Sequence, residues 1–203
     1  MTKEQFDACL CAQVAALNGI KERARQLHAS VNQQYDGQPY SVHLDMVARG
    51  VSDYGHEVCQ SETDVLPLFF GAWFHDSIED ARQTYNDTLK TARSLGLDEA
   101  QTHTATEIVY ALTNDKGRTR AERAGERYYA GIRETPYAPF IKLCDRMANM
   151  SYSFTHDNEA NMAMRRVYSR ELPHFLASID GGITDPRLSL PPSMVACLKA
   201  MVE

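Results

Sequence analysis

The sequence predicts an all-α protein of about eight to ten helices folded as one domain, and three observations carry that expectation. Apolar residues recur at three- and four-residue spacing, as in Phe6, Leu10, Val14 and Leu17 and again in Val42, Met46 and Val47. Strict period-two alternation is hard to find. Gly and Pro stand at the borders of these windows, and the 203 residues suit one compact domain with no internal repeat or low-complexity tract.

Taken in order, the chain opens with Thr2-Lys3-Glu4-Gln5 and a polar-interrupted amphipathic stretch, unlike the continuous apolar core of a signal peptide, so a cytoplasmic protein is expected. Gly37 and Pro39 precede a helix that starts near Tyr40. The most apolar run, Val65–Phe74, has ten residues and contains Pro67 and Gly71, whereas a membrane span needs roughly 20. It reads as a buried helix, and no membrane partner is expected. Gly96 closes the helix through Leu95, and Gly181-Gly182 follow the helix that carries Phe175 and Leu176. In that helix Met162, Met164, Tyr168 and Leu172 are expected to pack in the core. The stretch 180–192 is rich in Gly, Pro and Ser and leaves 193–202 as a last helix, too short to be a domain, which must pack back on the body.

Composition excludes several classes. The 43% hydrophobic and 24% charged content is that of an ordinary globular protein, and 21 Lys plus Arg against 27 Asp plus Glu give a formal charge of -6. No global positive field exists to attract a nucleic-acid backbone, so no nucleic-acid partner is expected. Five cysteines are an odd number without zinc-knuckle or redox spacing, and they are expected as reduced, mostly buried thiols. A GxxxxGK loop is missing, which removes P-loop chemistry.

The chemistry concentrates in Ala72-Trp73-Phe74-His75-Asp76-Ser77-Ile78-Glu79-Asp80. An apolar helix delivers His75 and Asp76 to its end, and Glu79 and Asp80 follow at helical return distance, so all four are expected to face one pocket. Polar groups placed directly after so apolar a run are costly unless they pair or bind a metal. Two further segments supply matching types: Pro39-Tyr40-Ser41-Val42-His43, and Ile141 through Met150, where Asp145 and Asn149 share a helix face. An ordinary ion pair of Asp145 with Lys142 or Arg146 is the bland alternative. Together His43, His75, Asp76 and Asp145 make a two-imidazole, two-carboxylate set suited to Mn, Fe, Co, Ni or Zn with room for water. The missing thiolates argue against a closed structural zinc site.

This order of residues resembles the H…HD…D signature of the HD-domain metal-dependent phosphohydrolases, most closely the SpoT-type small alarmone hydrolases, which remove the 3′-pyrophosphate of (p)ppGpp. The similarity rests on Gly-x-Pro-Tyr-x-x-His (37–43), His-Asp-x-x-Glu-Asp (75–80), Thr-x-Asp-Lys (113–116), Glu122-Arg123 and Lys-Leu-x-Asp-Arg-x-x-Asn-Met (142–150), and spans about two thirds of the chain, 20–151. The resemblance implies one HD-type domain over 1–203, with its core at about 20–151 and C-terminal helices in 159–203 packed on it. It also implies that His43, His75, Asp76 and Asp145 hold Mn²⁺, that Glu79 and Asp80 are the catalytic acidic pair, that Asn149 orients the site or substrate, and that Lys116 touches phosphate.

Where that family usually carries an Arg-Lys pair ahead of Gly-x-Pro-Tyr, this chain reads Asn32-Gln33-Gln34-Tyr35-Asp36, so Tyr35 is the residue left to stack on a base. In the basic run 116–127, Lys116 and Arg123 are expected to hold substrate phosphates, while the distal cations read as a solvated helix face. The second His-Asp pair, His156-Asp157, has no apolar helix behind it and reads as a turn or cap; His28, His56, His103 and His174 read as surface or satisfied core histidines. The expected function is therefore metal-dependent hydrolysis of a small nucleotide, first of all a guanosine bis(diphosphate) 3′-pyrophosphohydrolase. The alternatives are a phosphatase for another nucleotide and a non-catalytic metal- or nucleotide-sensing module. Activity is expected to fall below about pH 6 as ligand imidazoles protonate.

Overall fold

The computed structural model describes residues 1–114, 118–182 and 184–203, with Arg120 and Ala121 described through their backbone alone. Lys116, an expected phosphate contact, lies outside the described residues.

The chain begins with α1 (Lys3–Ala12) and α2 (Val14–Ser30), and a two-residue hairpin, β1 (Gln34–Tyr35) and β2 (Gln38–Pro39), leads into α3 (Ser41–Tyr54). Next come α4 (Val65–Phe74), the single turn α5 (Ser77–Asp80), α6 (Tyr85–Ser94) and α7 (Glu99–Leu112). A second single turn, α8 (Arg120–Arg123), precedes α9 (Glu126–Glu134), α10 (Ala138–Thr155), α11 (Glu159–Ile179) and α12 (Pro192–Ala200). Of the twelve helices among the described residues two are single turns, which leaves ten, within the range the sequence predicts. The protein is all-α, and among the described residues no helix is long and apolar enough to cross a membrane.

Local chemistry sets many of the borders. Thr2, Thr84 and Asp98 accept from the backbone N–H three residues on, and Gln5, Asp87 and Gln101 bond back to the cap, so α1, α6 and α7 each start on a capping box. Asn158 caps α11 in the same direction, and Gly96, with φ of +87°, ends α6 in the left-handed conformation that glycine adopts without a Cβ penalty. The hairpin turns on Asp36 and Gly37, both at positive φ, the backbone requirement of a tight primed turn.

Core packing then places the functional residues. Helix α4 is buried on nearly every side, with Phe70 stacked on Phe74 at 4.2 Å between ring centroids. A Cβ at Gly71 would lie 2.6 Å from Ile108 Cγ2, so the glycine lets α7 lie against α4. A Cβ at Gly50 would lie 3.1 Å from Cys144 Sγ, so α3 and α10 also meet closely. That approach sets His43 on α3 opposite Asp145 on α10. The tail packs back on the body through the buried Met194 and Leu198 of α12.

Two expectations about packing are corrected. Only Cys59 and Cys144 are buried, while Cys9 and Cys197 are partly exposed and Cys11 exposed, because the latter three lie on helices with one face toward solvent. Met162 is 45% exposed: Met164, Tyr168, Leu172 and Phe175 follow the inward stripe of α11, and Met162 is off that stripe.

Candidate metal centre

Helix α3, the junction of α4 with α5, and α10 converge on the site. His43 lies one turn into α3, whose first turn starts at Tyr40; His75 ends α4 and Asp76 opens α5; Asp145 lies in the second turn of α10. Both imidazoles are 2% exposed, and their Nε2 atoms face each other at 3.3 Å. Asp145 Oδ1 is 3.3 Å from His43 Nε2 and 3.9 Å from His75 Nε2. Asp76 Oδ2 is 2.8 Å from His75 Nε2 and 4.0 Å from His43 Nε2. His43, His75 and Asp145 each present a ligand atom within 4.8 Å of the others, and Asp76 joins them from the side of the histidines.

The surroundings fix the orientation of these groups. His75 Nδ1 lies 2.9 Å from the carbonyl oxygen of Ala72, and since a carbonyl only accepts, Nδ1 carries a proton and Nε2 is directed into the cluster. The buried Nδ1 of His43 has no hydrogen-bond partner among the described residues. Asn149 donates to Asp145 Oδ1 at 2.6 Å and to its backbone oxygen at 3.0 Å, while Lys142 donates to Asp145 Oδ2 at 2.9 Å. Tyr40 donates a short hydrogen bond to Asp76 and stacks on the buried His28, with ring centroids 4.9 Å apart.

The charges are tightly compensated. Burial works to lower the His75 pKa, but the Asp76 carboxylate and its hydrogen bond, with Asp145, prevail and hold the imidazole up to about 9. For Asp76 burial is opposed by His75, and for Asp145 by Lys142 and the histidines, so both carboxyls stay well below the usual carboxylate range. Burial disfavours the charged form of Lys142, yet Asp145 raises its pKa above the ordinary lysine value. Asp80 moves the other way: desolvation and the negative charge of Asp76 raise its carboxyl pKa.

The residues fit a divalent transition metal. First-row ions bind imidazole and carboxylate at roughly 2.0–2.2 Å, which requires donor atoms from different residues to gather within a few ångströms of one another. Here two buried ring nitrogens confront each other at 3.3 Å between two carboxylates, and the ligand atoms of His43, His75 and Asp145 lie within 4.8 Å of one another. Cys144 adjoins Asp145 in sequence, but its thiol faces Gly50 in the helix interface and burial raises its pKa, so the donor set is nitrogen and oxygen.

The remaining expected site residues flank this cluster. Glu79 is exposed, and Asn114 donates to both its carboxylate oxygens at 3.0 and 2.9 Å; Asp80 lies on another side and accepts from Gln33 at 2.6 Å. Asn149 is held between Asp145 and the hydroxyl of Tyr35, which donates to its Oδ1 at 2.9 Å. The Tyr35 ring stacks on His43 at 4.9 Å and meets Tyr40 and Tyr152 edge-on, so it covers the cluster. Arg123, at the end of α8, lines a separate cavity beside Lys142.

Sequence reasoning missed Tyr40, Gln33, Asn114 and His28 as parts of the site. Tyr40 had a signal, since it precedes His43 by three residues and so returns to the same side of the helix start. Gln33, Asn114 and His28 had none, because they reach the site through tertiary packing. Lys142, one of the two ion-pair partners the sequence offers Asp145, is paired with it; Arg146 instead pairs with Glu171 at 3.4 Å. His156 caps α10, and Asp157 pairs with Arg165 at 2.5 Å, as a turn or cap predicts. No family model and no curated protein matches this chain.

Proposed function

We propose that the protein is a metal-dependent phosphohydrolase of a small nucleotide, with His43, His75, Asp76 and Asp145 as the ligands of Mn²⁺ or a similar divalent ion. The observation that carries this reading is the pair of buried imidazole nitrogens 3.3 Å apart between two carboxylates. The resemblance of the H…HD…D order to HD-domain phosphohydrolases supports it. When bound, the ion would polarise a phosphoryl oxygen and lower the pKa of a water toward about 7.

The chain supplies the rest of the hydrolysis. A water oxygen bonds to phosphorus, the phosphorus–oxygen bond to the leaving group breaks, and the leaving oxygen takes a proton. Glu79, exposed and clamped by Asn114, accepts the proton of the attacking water. Asp80, whose pKa is raised by desolvation and Asp76, holds a proton more readily than an ordinary aspartate and delivers it to the leaving oxygen. Asn149 and Lys142 keep the two oxygens of Asp145 in place. Tyr35 and Tyr40 restrict water on the hairpin side.

A guanosine bis(diphosphate) is the first substrate to test. Metal-stripped protein is reconstituted with Mn²⁺ and incubated with ppGpp and a panel of nucleoside mono-, di- and triphosphates, with Asp76→Ala as blank and Glu79→Gln as the chemistry variant. Pyrophosphate and GDP are the expected products from ppGpp, and Glu79→Gln should slow turnover by about 10²- to 10⁴-fold while retaining metal. Turnover of another panel member alone reassigns the substrate, and turnover of none refutes the hydrolase reading.

A further inference from the structure

Beside the metal-binding residues lies a cavity of about 780 Å³, within the range of small-molecule sites. Two residues of its wall also touch the centre: Lys142 donates to Asp145 at 2.9 Å, and Asn114 clamps Glu79. Away from that wall the lining is partly aromatic, with Tyr129 and His174 meeting edge to face at 6.4 Å between centroids. The cations of the lining have different duties. The Arg146 guanidinium lies 4.1 Å from the Phe175 ring centroid and 3.4 Å from Glu171, so it is a wall element. Arg123 is exposed and in no ion pair among the described residues, and the Lys142 ammonium, which donates to Asp145 and faces Tyr128, has a third N–H to give.

On the hairpin side Tyr35 packs directly on the cluster. The ring of Tyr35 is enclosed by His43, Tyr40 and Tyr152, and its hydroxyl is committed to Asn149. A base that took the ring's place against His43 would have to displace it.

Resting on the phosphohydrolase reading, we propose that the cavity between α9, α10 and α11 receives the organic part of the substrate, an aromatic nucleoside bearing a diphosphate. The base lies against Tyr129 and His174, and the phosphates lie between Arg123 and Lys142, which directs the ester toward Asp145. Aromatic faces accept any base, and cations that line a cavity in an acidic protein concentrate the anion there.

Calorimetric titration of Mn²⁺-reconstituted protein with GDP, and separately with pyrophosphate, tests the assignment. GDP should bind one per chain and at least tenfold more tightly than pyrophosphate. Tyr129→Leu should weaken GDP about tenfold and leave pyrophosphate affinity within twofold, Tyr129→Phe should restore GDP binding, and Arg123→Gln should weaken both ligands. GDP held no more tightly than pyrophosphate, or GDP affinity indifferent to Tyr129→Leu, overturns the proposal. Metal content of the same preparations separates the two claims: wild-type protein that binds GDP through Tyr129 but takes up no metal refutes the metal centre and leaves the cavity assignment standing.

Discussion

His75 is under opposed demands, and they define the pH behaviour of the centre. Its imidazole is held up to about 9, so in metal-stripped protein its attraction to Asp76 and Asp145 is fully present below the ordinary histidine value of 6.5 and is lost as pH rises through about 9. Asp76 and Asp145 have lowered values, so their contribution is present above the ordinary carboxylate range and is lost as pH falls through those values. Metal-stripped protein should therefore be most stable between about pH 4 and 6.5 and should lose melting temperature toward pH 9 and above. A divalent ion has to displace the Nε2 proton, so affinity should rise about tenfold per pH unit toward pH 9, with about one proton released per ion. Mn²⁺ titrations in buffers of different ionisation enthalpy measure that release, and affinity that stays constant between pH 6 and 8 contradicts it. The expected acid limit of ordinary histidines, near pH 6, thus moves upward. Tyr40 belongs to the same scale: Tyr40→Phe removes the donor on Asp76 with little change of volume, and should weaken metal binding by about 10- to 100-fold while the helical circular dichroism stays as in wild type. Unchanged affinity would mean that Asp76 needs no such support.

At the scale of elements, the candidate centre depends on the close approach of α3, α4 and α10, and Gly50 permits the crossing of α3 and α10. Replacing Gly50 by Val puts bulk where even a Cβ would be 3.1 Å from Cys144 Sγ, forcing α3 from α10 and His43 from Asp145. Gly50→Val should cost about 1–3 kcal/mol in urea denaturation and also weaken metal binding, since both follow from one displacement. Loss of stability with metal affinity intact would uncouple the helix crossing from the site. Helix periodicity made much of this legible in the sequence: α4 spans the predicted Val65–Phe74, and α3 begins beside Tyr40 as expected. The sequence pattern predicts no hairpin although Asp36-Gly37 is a strong turn signal, because only two residues on each side pair and no alternation surrounds them. The gathering of His43, His75 and Asp145 was readable from residue type and order. The orientation of Glu79 toward Asn114 and of Asp80 toward Gln33 was not, since it depends on where α2 and the end of α7 lie.

Across the whole molecule, a net charge of -6 coexists with a cluster whose own charges are balanced and with a cavity that gathers Arg123, Lys142 and Arg146. The proposed tasks fall on separate parts of the fold: α3, α4, α5 and α10 carry the proposed ligands, the hairpin packs on them, and the cavity lies between α9, α10 and α11. Everything proposed about chemistry depends on the first of these tasks. The most direct test is the stoichiometry of Mn²⁺ bound at pH 8, read by electron paramagnetic resonance of the free ion, for wild type, His75→Ala and Asp145→Asn. One tightly bound Mn²⁺ per wild-type chain, and affinity weakened by at least 100-fold in both variants while their melting curves remain cooperative, is the predicted result; no stoichiometric binding by the wild type, or binding that both variants retain, would contradict the metal centre.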